Sequence, residues 1–250
     1  MLQKKFFGLE INPFWFKFCK AEFSSTKSIC EHPNATKIYM ERFSKDFYQQ
    51  HGTRALAQLL LGCELVHETV EGITAGIIVE TEAYLEDDPG SHAYKKETPR
   101  NRAMFGMPGT LYVYQIYNHY NCMNVVAGPQ GVGEAVLIRA LAPTQGVKLM
   151  AFRRNEAFKT GFARFRNNSI DPTTTIGHRN LCNGPAKLTI AMGIDREAHN
   201  GSSLVDGDVY ICGPAIKDFE MVTTTRIGLS QGTDLRYRYY MKGNSFVSKK

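Results

Sequence analysis

The chain has 250 residues, 43% of them hydrophobic, which is enough to bury one sizeable core and excludes a wholly disordered protein. Thirty Lys and Arg against 24 Asp and Glu give a net charge of +6, a weak vote for a polyanionic partner such as nucleic acid. No apolar run approaches the roughly 18 residues of a membrane span, so a soluble protein is expected.

Residues 1–38 are rich in Phe and Trp yet broken by Glu10, Asn12, Pro13, Lys17 and Lys20, which spoils a secretory signal; the segment is read as an N-terminal extension of unknown order. Helical spacing follows over 40–48 and 53–61, the second placing Ala55, Leu56, Leu59 and Leu60 on one face and stopping at Gly62. Strands are predicted at 65–69 and 73–84, turning at Glu71-Gly72. Strict alternation in the second puts Ile77, Val79, Thr81 and Ala83 on one side and Ile78, Glu80, Glu82 and Tyr84 on the other.

A 25-residue connection, 85–109, is long for a compact domain and its mixture of His, Arg, Phe and Met marks it as functional. A second hairpin pairs 110–116 with 121–127; Tyr112 and Tyr114 share a face and Tyr117 stands at the tip. Another strand, 134–141, carries Arg139, and a basic amphipathic helix, 146–158, carries Arg153 and Arg154. Gly184-Pro185 opens a further helix beside Lys187, and three short strands complete the chain at 209–212, 221–226 and 236–241. The six Cys contain no Cys-x-x-Cys and are read as reduced thiols of an intracellular protein, which makes the sequons at Asn34, Asn167 and Asn200 accidental.

Glu82 is the foremost candidate for chemistry. A carboxylate between apolar neighbours on a strand is either a general base or a solvated edge charge, and the rings nearby favour the first. Tyr84, His92 and Tyr114 could sandwich a flat base, although a single strand Tyr is ordinarily half-buried packing. Lys187 at a helix start suits a phosphate, and Arg139 needs an acidic, phosphate or water partner if buried. Two other classes stay open at this point: a non-catalytic nucleic-acid-binding module, and a carbohydrate-acting glycosidase using Glu80 and Glu82, about 6.7 Å apart along a strand.

Four blocks in order resemble the alkyladenine (3-methyladenine) DNA glycosylase family: Val79-Glu80-Thr81-Glu82-Ala83-Tyr84; His92 with Thr98-Pro99-Arg100-Asn101-Arg102; Pro108 to Tyr114 continuing to Cys122-Met123-Asn124; and Leu181-Cys182-Asn183-Gly184-Pro185-Ala186-Lys187-Leu188. The resemblance implies a monofunctional enzyme that flips damaged purines from double-stranded DNA and hydrolyses the N-glycosidic bond, acting without cofactor or metal. Alkylated purines, hypoxanthine and ethenoadenine are the implied substrates. It assigns Glu82 as general base, with Arg139 and the Ile227 carbonyl holding the water. Tyr84, His92 and Tyr114 become pocket rings, Asn124 a guard against guanine, Tyr117 the intercalating wedge, and Lys187 a phosphate contact. Arg154 joins the DNA-binding set, as does His119, which departs from the small or apolar residue expected beside the wedge. The expected architecture is a single mixed α+β domain over 39–250, a curved, largely antiparallel sheet with surrounding helices, acting as a monomer in the nucleus or an organelle.

Overall fold

The computed structural model describes residues 41–117, 119–159 and 169–249. The expectation for 1–38 lies outside them. One antiparallel sheet organises the rest: β1 (Glu64–Thr69), β2 (Gly72–Tyr84), β3 (Leu111–Ile116), β4 (Tyr120–Val126), β5 (Ala135–Gln145), β6 (Val209–Cys212), β7 (Met221–Thr224) and β8 (Arg238–Met241). Its main path runs β3-β4-β5-β2-β1-β6. The 13-residue β2 is the spine, pairing β5 along one edge and, on the other, β1 with its first half and β8 with its second. The sheet curls, and with its helices forms the single mixed α+β domain expected.

Helices cover one face. α1 (Lys45–Gln49) is capped by Ser44, whose hydroxyl accepts from Phe47 N–H, and α2 (Thr53–Leu59) packs on β2 and β5. The expected helix over 40–48 begins later because Arg42 is extended and bridges Cys212 at the end of β6. α3 (Val147–Lys159) packs on α5 (Pro185–Met192), which lies across β4 and β5; α4 (Thr175–Asn180) and α6 (Arg196–His199) are short. The main core lies between these helices and the sheet, built from Leu56, Leu60, Ile78, Val113, Met123, Ile138, Leu141, Leu188 and their neighbours. None of the helices among the described residues is long and apolar enough to cross a membrane.

Strict alternation fails in the middle of β2. The register passes from Ile78 opposite Leu141 to Glu80 opposite Ala140 and then Thr81 opposite Ile138, leaving Val79 and Arg139 without partners. A bulge in one strand answers a bulge in the other, so the register is restored within three residues. Ile78 therefore faces the helix-covered core with Ala83 and with Thr81, whose hydroxyl donates to the Ala57 carbonyl. Ile77 and Val79 lie in a separate cluster with Ala140, Met241 and Val247. The expected grouping of Ile78 with Glu80, and of Ile77 and Val79 with Thr81 and Ala83, is corrected by this bulge. The grouping of Glu80, Glu82 and Tyr84 survives it.

Candidate active site

The strand registers align one row of residues across five strands: Tyr112 on β3, Asn124 on β4, Leu137 on β5, Glu82 on β2 and Arg238 on β8. With strands about 4.8 Å apart, a carboxylate and an amide some 42 residues distant in sequence come within two strand spacings. Directly opposed residues share a face, so the tyrosines of β3, Asn124 and the acids of β2 all stand on the side away from the helices.

Glu82 has no exposed surface. Its Oε2 accepts from the Tyr84 hydroxyl at 2.8 Å and from Arg139 Nη1 at 3.1 Å, and its Oε1 accepts from the Ile227 N–H at 2.9 Å. The resemblance assigns the carbonyl of Ile227; the contact in this structure is its N–H on the carboxylate. Ile227 is held by its neighbour Arg226, which forms a two-pronged ion pair with Asp88 and donates to the Ala83 carbonyl. The Arg226 guanidinium also lies 4.6 Å from the centre of the Tyr84 ring.

In front of Glu82 is a cavity of about 60 Å³ lined by Tyr84, Gly90, His92, Met104, Tyr112, Tyr114, Asn124 and Leu229. It unites all four predicted pocket residues. The Tyr84 ring lines it while the Tyr84 hydroxyl touches Glu82, which places the carboxylate one side chain behind the wall. His92 and Tyr114 meet edge to face at 4.5 Å between centroids, and Tyr112 donates or accepts at His92 Nδ1 over 3.0 Å. The long loop is shaped by Asn101, whose Nδ2 donates to the carbonyls of His92 and Lys96 while its Oδ1 accepts from Thr98. That cross-bracing is why the Thr98-to-Asn101 block accompanies His92. Gly90 is required: a Cβ there would lie 2.9 Å from the Leu229 side chain and 3.0 Å from the Gln231 carbonyl.

The pocket is electrically neutral at its rings. Burial pushes the Tyr84 phenol well above its ordinary range, reinforced by the Glu82 charge, and burial does the same to Tyr114. Burial, then Arg100, lowers His92, which keeps the imidazole uncharged near neutrality. Asn124, nearly sealed from solvent, donates from Nδ2 to the Tyr112 carbonyl at 3.1 Å.

The remaining predicted residues do not line this cavity. Tyr117 turns the β3–β4 hairpin with a φ of 48° and is 83% exposed; His119 beside it is exposed too. Lys187 sits in the first turn of α5, its Nζ 2.8 Å from Asn183 Oδ1. Arg154 is 2% exposed and packs over Phe158, and its Nε has no hydrogen-bond partner among the described residues. It and Lys187 line a second cavity, of about 470 Å³, with Asp171, Thr174 and Asn180. Glu80 carries ion pairs to Arg139 and Arg238 and accepts from the Ser248 N–H. Both acids of β2 thus share Arg139 from one side and cannot flank a sugar bond from opposite faces, which removes the paired-carboxylate glycosidase. Among the described residues no group of three or more His, Cys, Asp or Glu is placed to hold a metal.

Tyr112, Met104 and Leu229 were not singled out from sequence. Tyr112 carried a signal, its parity with Tyr114; Met104 and Leu229 reach the cavity from irregular segments and carried none.

A ring-walled slot with a buried acid behind it suits an enzyme that grips a flat heterocycle. The methylpurine-DNA glycosylase model matches residues 46–245, and the chain belongs to that family of DNA glycosylases, hydrolases of N-glycosyl bonds that act in DNA repair. A protein of Methanoculleus marisnigri assigned by name to the 3-methyladenine DNA glycosylases is 44% identical over 208 residues, covering 82% of this chain and 97% of the relative. Relatives with the same printed name from Carboxydothermus hydrogenoformans (43% over 197 residues; 78% and 93%) and Prosthecochloris aestuarii (43% over 213 residues; 84% and 92%) agree.

Proposed function

We propose that the enzyme extrudes a damaged purine from duplex DNA into the slot beside Glu82 and hydrolyses its N-glycosidic bond with a water activated by that carboxylate. The observation that carries the reading is an acid oriented by three donors, one of them the hydroxyl of Tyr84, whose ring lines the cavity. Flipping is the general solution for enzymes that act on a base, and a damaged or mispaired purine costs less to unstack. Tyr117 would fill the space left in the duplex, with His119 beside it. Tyr84, His92 and Tyr114 would hold the extruded base; a neutral pocket with electron-rich ring faces accepts an alkylated cationic purine, and shape accommodates hypoxanthine and ethenoadenine. Asn124 would crowd the exocyclic amine of guanine.

Ionised Glu82 would take a proton from the water, helped by Arg139 and Ile227, and its charge would stabilise the oxocarbenium-like sugar. With water as nucleophile, and no lysine among the described residues that line the cavity, the product would be an abasic site without strand cleavage. Lys187 and Arg154 would seat backbone phosphate. The decisive experiment incubates the protein, as a monomer, with duplexes containing 3-methyladenine, hypoxanthine or ethenoadenine. Free base and an alkali-labile site in an otherwise unbroken strand support the proposal; binding with no base released leaves a recognition module and refutes it.

A further inference from the structure

Glu80 is the other acid of β2, and it too has no exposed surface. Its Oε1 accepts from Arg139 Nε at 3.3 Å and from Arg238 Nε at 2.7 Å, and its Oε2 from the Ser248 N–H at 2.7 Å. Arg139 continues with Nη1 to Glu82. The buried order is therefore Arg238, Glu80, Arg139, Glu82, in which the signs alternate and cancel. The segment after β8 closes over this chain, since Arg238 Nη2 also donates to the Lys249 carbonyl.

One physical effect follows for Glu82: Glu80 takes the Nε edge of Arg139, which fixes the guanidinium plane and leaves Nη1 for Glu82.

Resting on the glycosylase reading, we propose that Glu80, clamped by Arg238 and Ser248, is a positioning residue that orients Arg139 toward Glu82. The paired bulges that leave Val79 and Arg139 unpartnered are what bring Arg139 between the two acids.

The test is single-turnover base release from an alkylated-purine duplex for the wild type, Glu80→Gln, Arg238→Gln and Arg139→Ala, and for Glu80→Gln and Arg238→Gln each combined with Arg139→Ala, with duplex affinity measured alongside. Glu80→Gln should lower the rate about 10- to 100-fold through misplacement of Arg139, with affinity unchanged. In the Arg139→Ala background the same change should cost no further rate, because the guanidinium that Glu80 orients has gone. A purely structural Glu80 predicts losses that add in the double variant, and that result overturns the proposal. Should Glu80→Gln fail to fold, Arg238→Gln, which releases the clamp on Glu80, decides by the same comparison: additive losses overturn it. A wild type releasing no base sinks the glycosylase reading instead, a separate result from an active enzyme whose losses add.

Discussion

Tyr84 donates its hydroxyl to Glu82 Oε2 over 2.8 Å, two residues along the same strand. Because burial and the Glu82 charge both push the phenol upward, Tyr84 stays protonated and remains a donor throughout the working pH range. One side chain therefore walls the cavity with its ring and orients the acid with its tip. Tyr84→Phe should keep the ring and lose roughly tenfold in single-turnover rate, the value of about 1.5 kcal/mol for a hydrogen bond to a charged group. Glu82→Gln should cost about 10²- to 10⁴-fold in the same assay with damaged-duplex affinity retained. Near-normal turnover by Glu82→Gln would remove the acid from the mechanism.

Tyr117 is exposed at a turn, so its truncation should leave the melting temperature unaltered. Tyr117→Ala should slow base release from duplex DNA more than from the same lesion in a single strand, where nothing needs displacing. Equal losses on the two substrates would eliminate the wedge.

Asn124→Ala should increase release of undamaged guanine, read by comparing single-turnover rates on guanine and hypoxanthine opposite the same partner base. It should also destabilise the fold by about 1 kcal/mol, since the Tyr112 carbonyl loses its donor. An unchanged preference between the two bases would reassign Asn124 to packing alone.

Arg154 has a buried Nε without a partner among the described residues, and burial holds its pKa down to about 10. Such a charge is costly in the free protein, so Arg154→Met should raise the melting temperature while weakening DNA binding. Lys187→Ala should flatten the dependence of log affinity on log salt by about 0.9, one phosphate contact. A salt slope identical to wild type would place the phosphates elsewhere.

His67 and His92 are both lowered, chiefly by burial, so the folded protein binds fewer protons than the unfolded chain just below pH 6.5. The associated stability is fully present above about pH 6.5 and is lost as pH falls through the folded values. Melting temperature should decline between pH 7.5 and 5, and His92→Gln should shallow that decline. A melting temperature rising on acidification would contradict both assignments.

Much of the site could be read from residue spacing. Period-two alternation alone put Glu82 with Tyr84 and Tyr112 with Tyr114, and the hairpin turn located Tyr117. Spacing could not say that Asn124, Leu137 and Glu82 would stand in one row, because register depends on pairings between strands distant in sequence. Nor could it place Ile78, since a bulge leaves no signature in a run of Ile and Val. The burial of Arg154 was not legible either, because amphipathic spacing reports which side of a helix is apolar, not which charge is enclosed once another helix packs on it. Ser248 escaped notice because its backbone, not its side chain, makes the contact with Glu80.

The answering bulges of β2 and β5 restore the ladder between them on either side, and on the opposite edge of β2 the partner changes there from β1, ending at Ile77, to β8, beginning at Glu80. Deleting one residue from only one of the two strands would be far more damaging than shortening both together. The matched double deletion should give a protein that still folds but is catalytically inert, a scaffold from which the reactive centre has been excised as a unit.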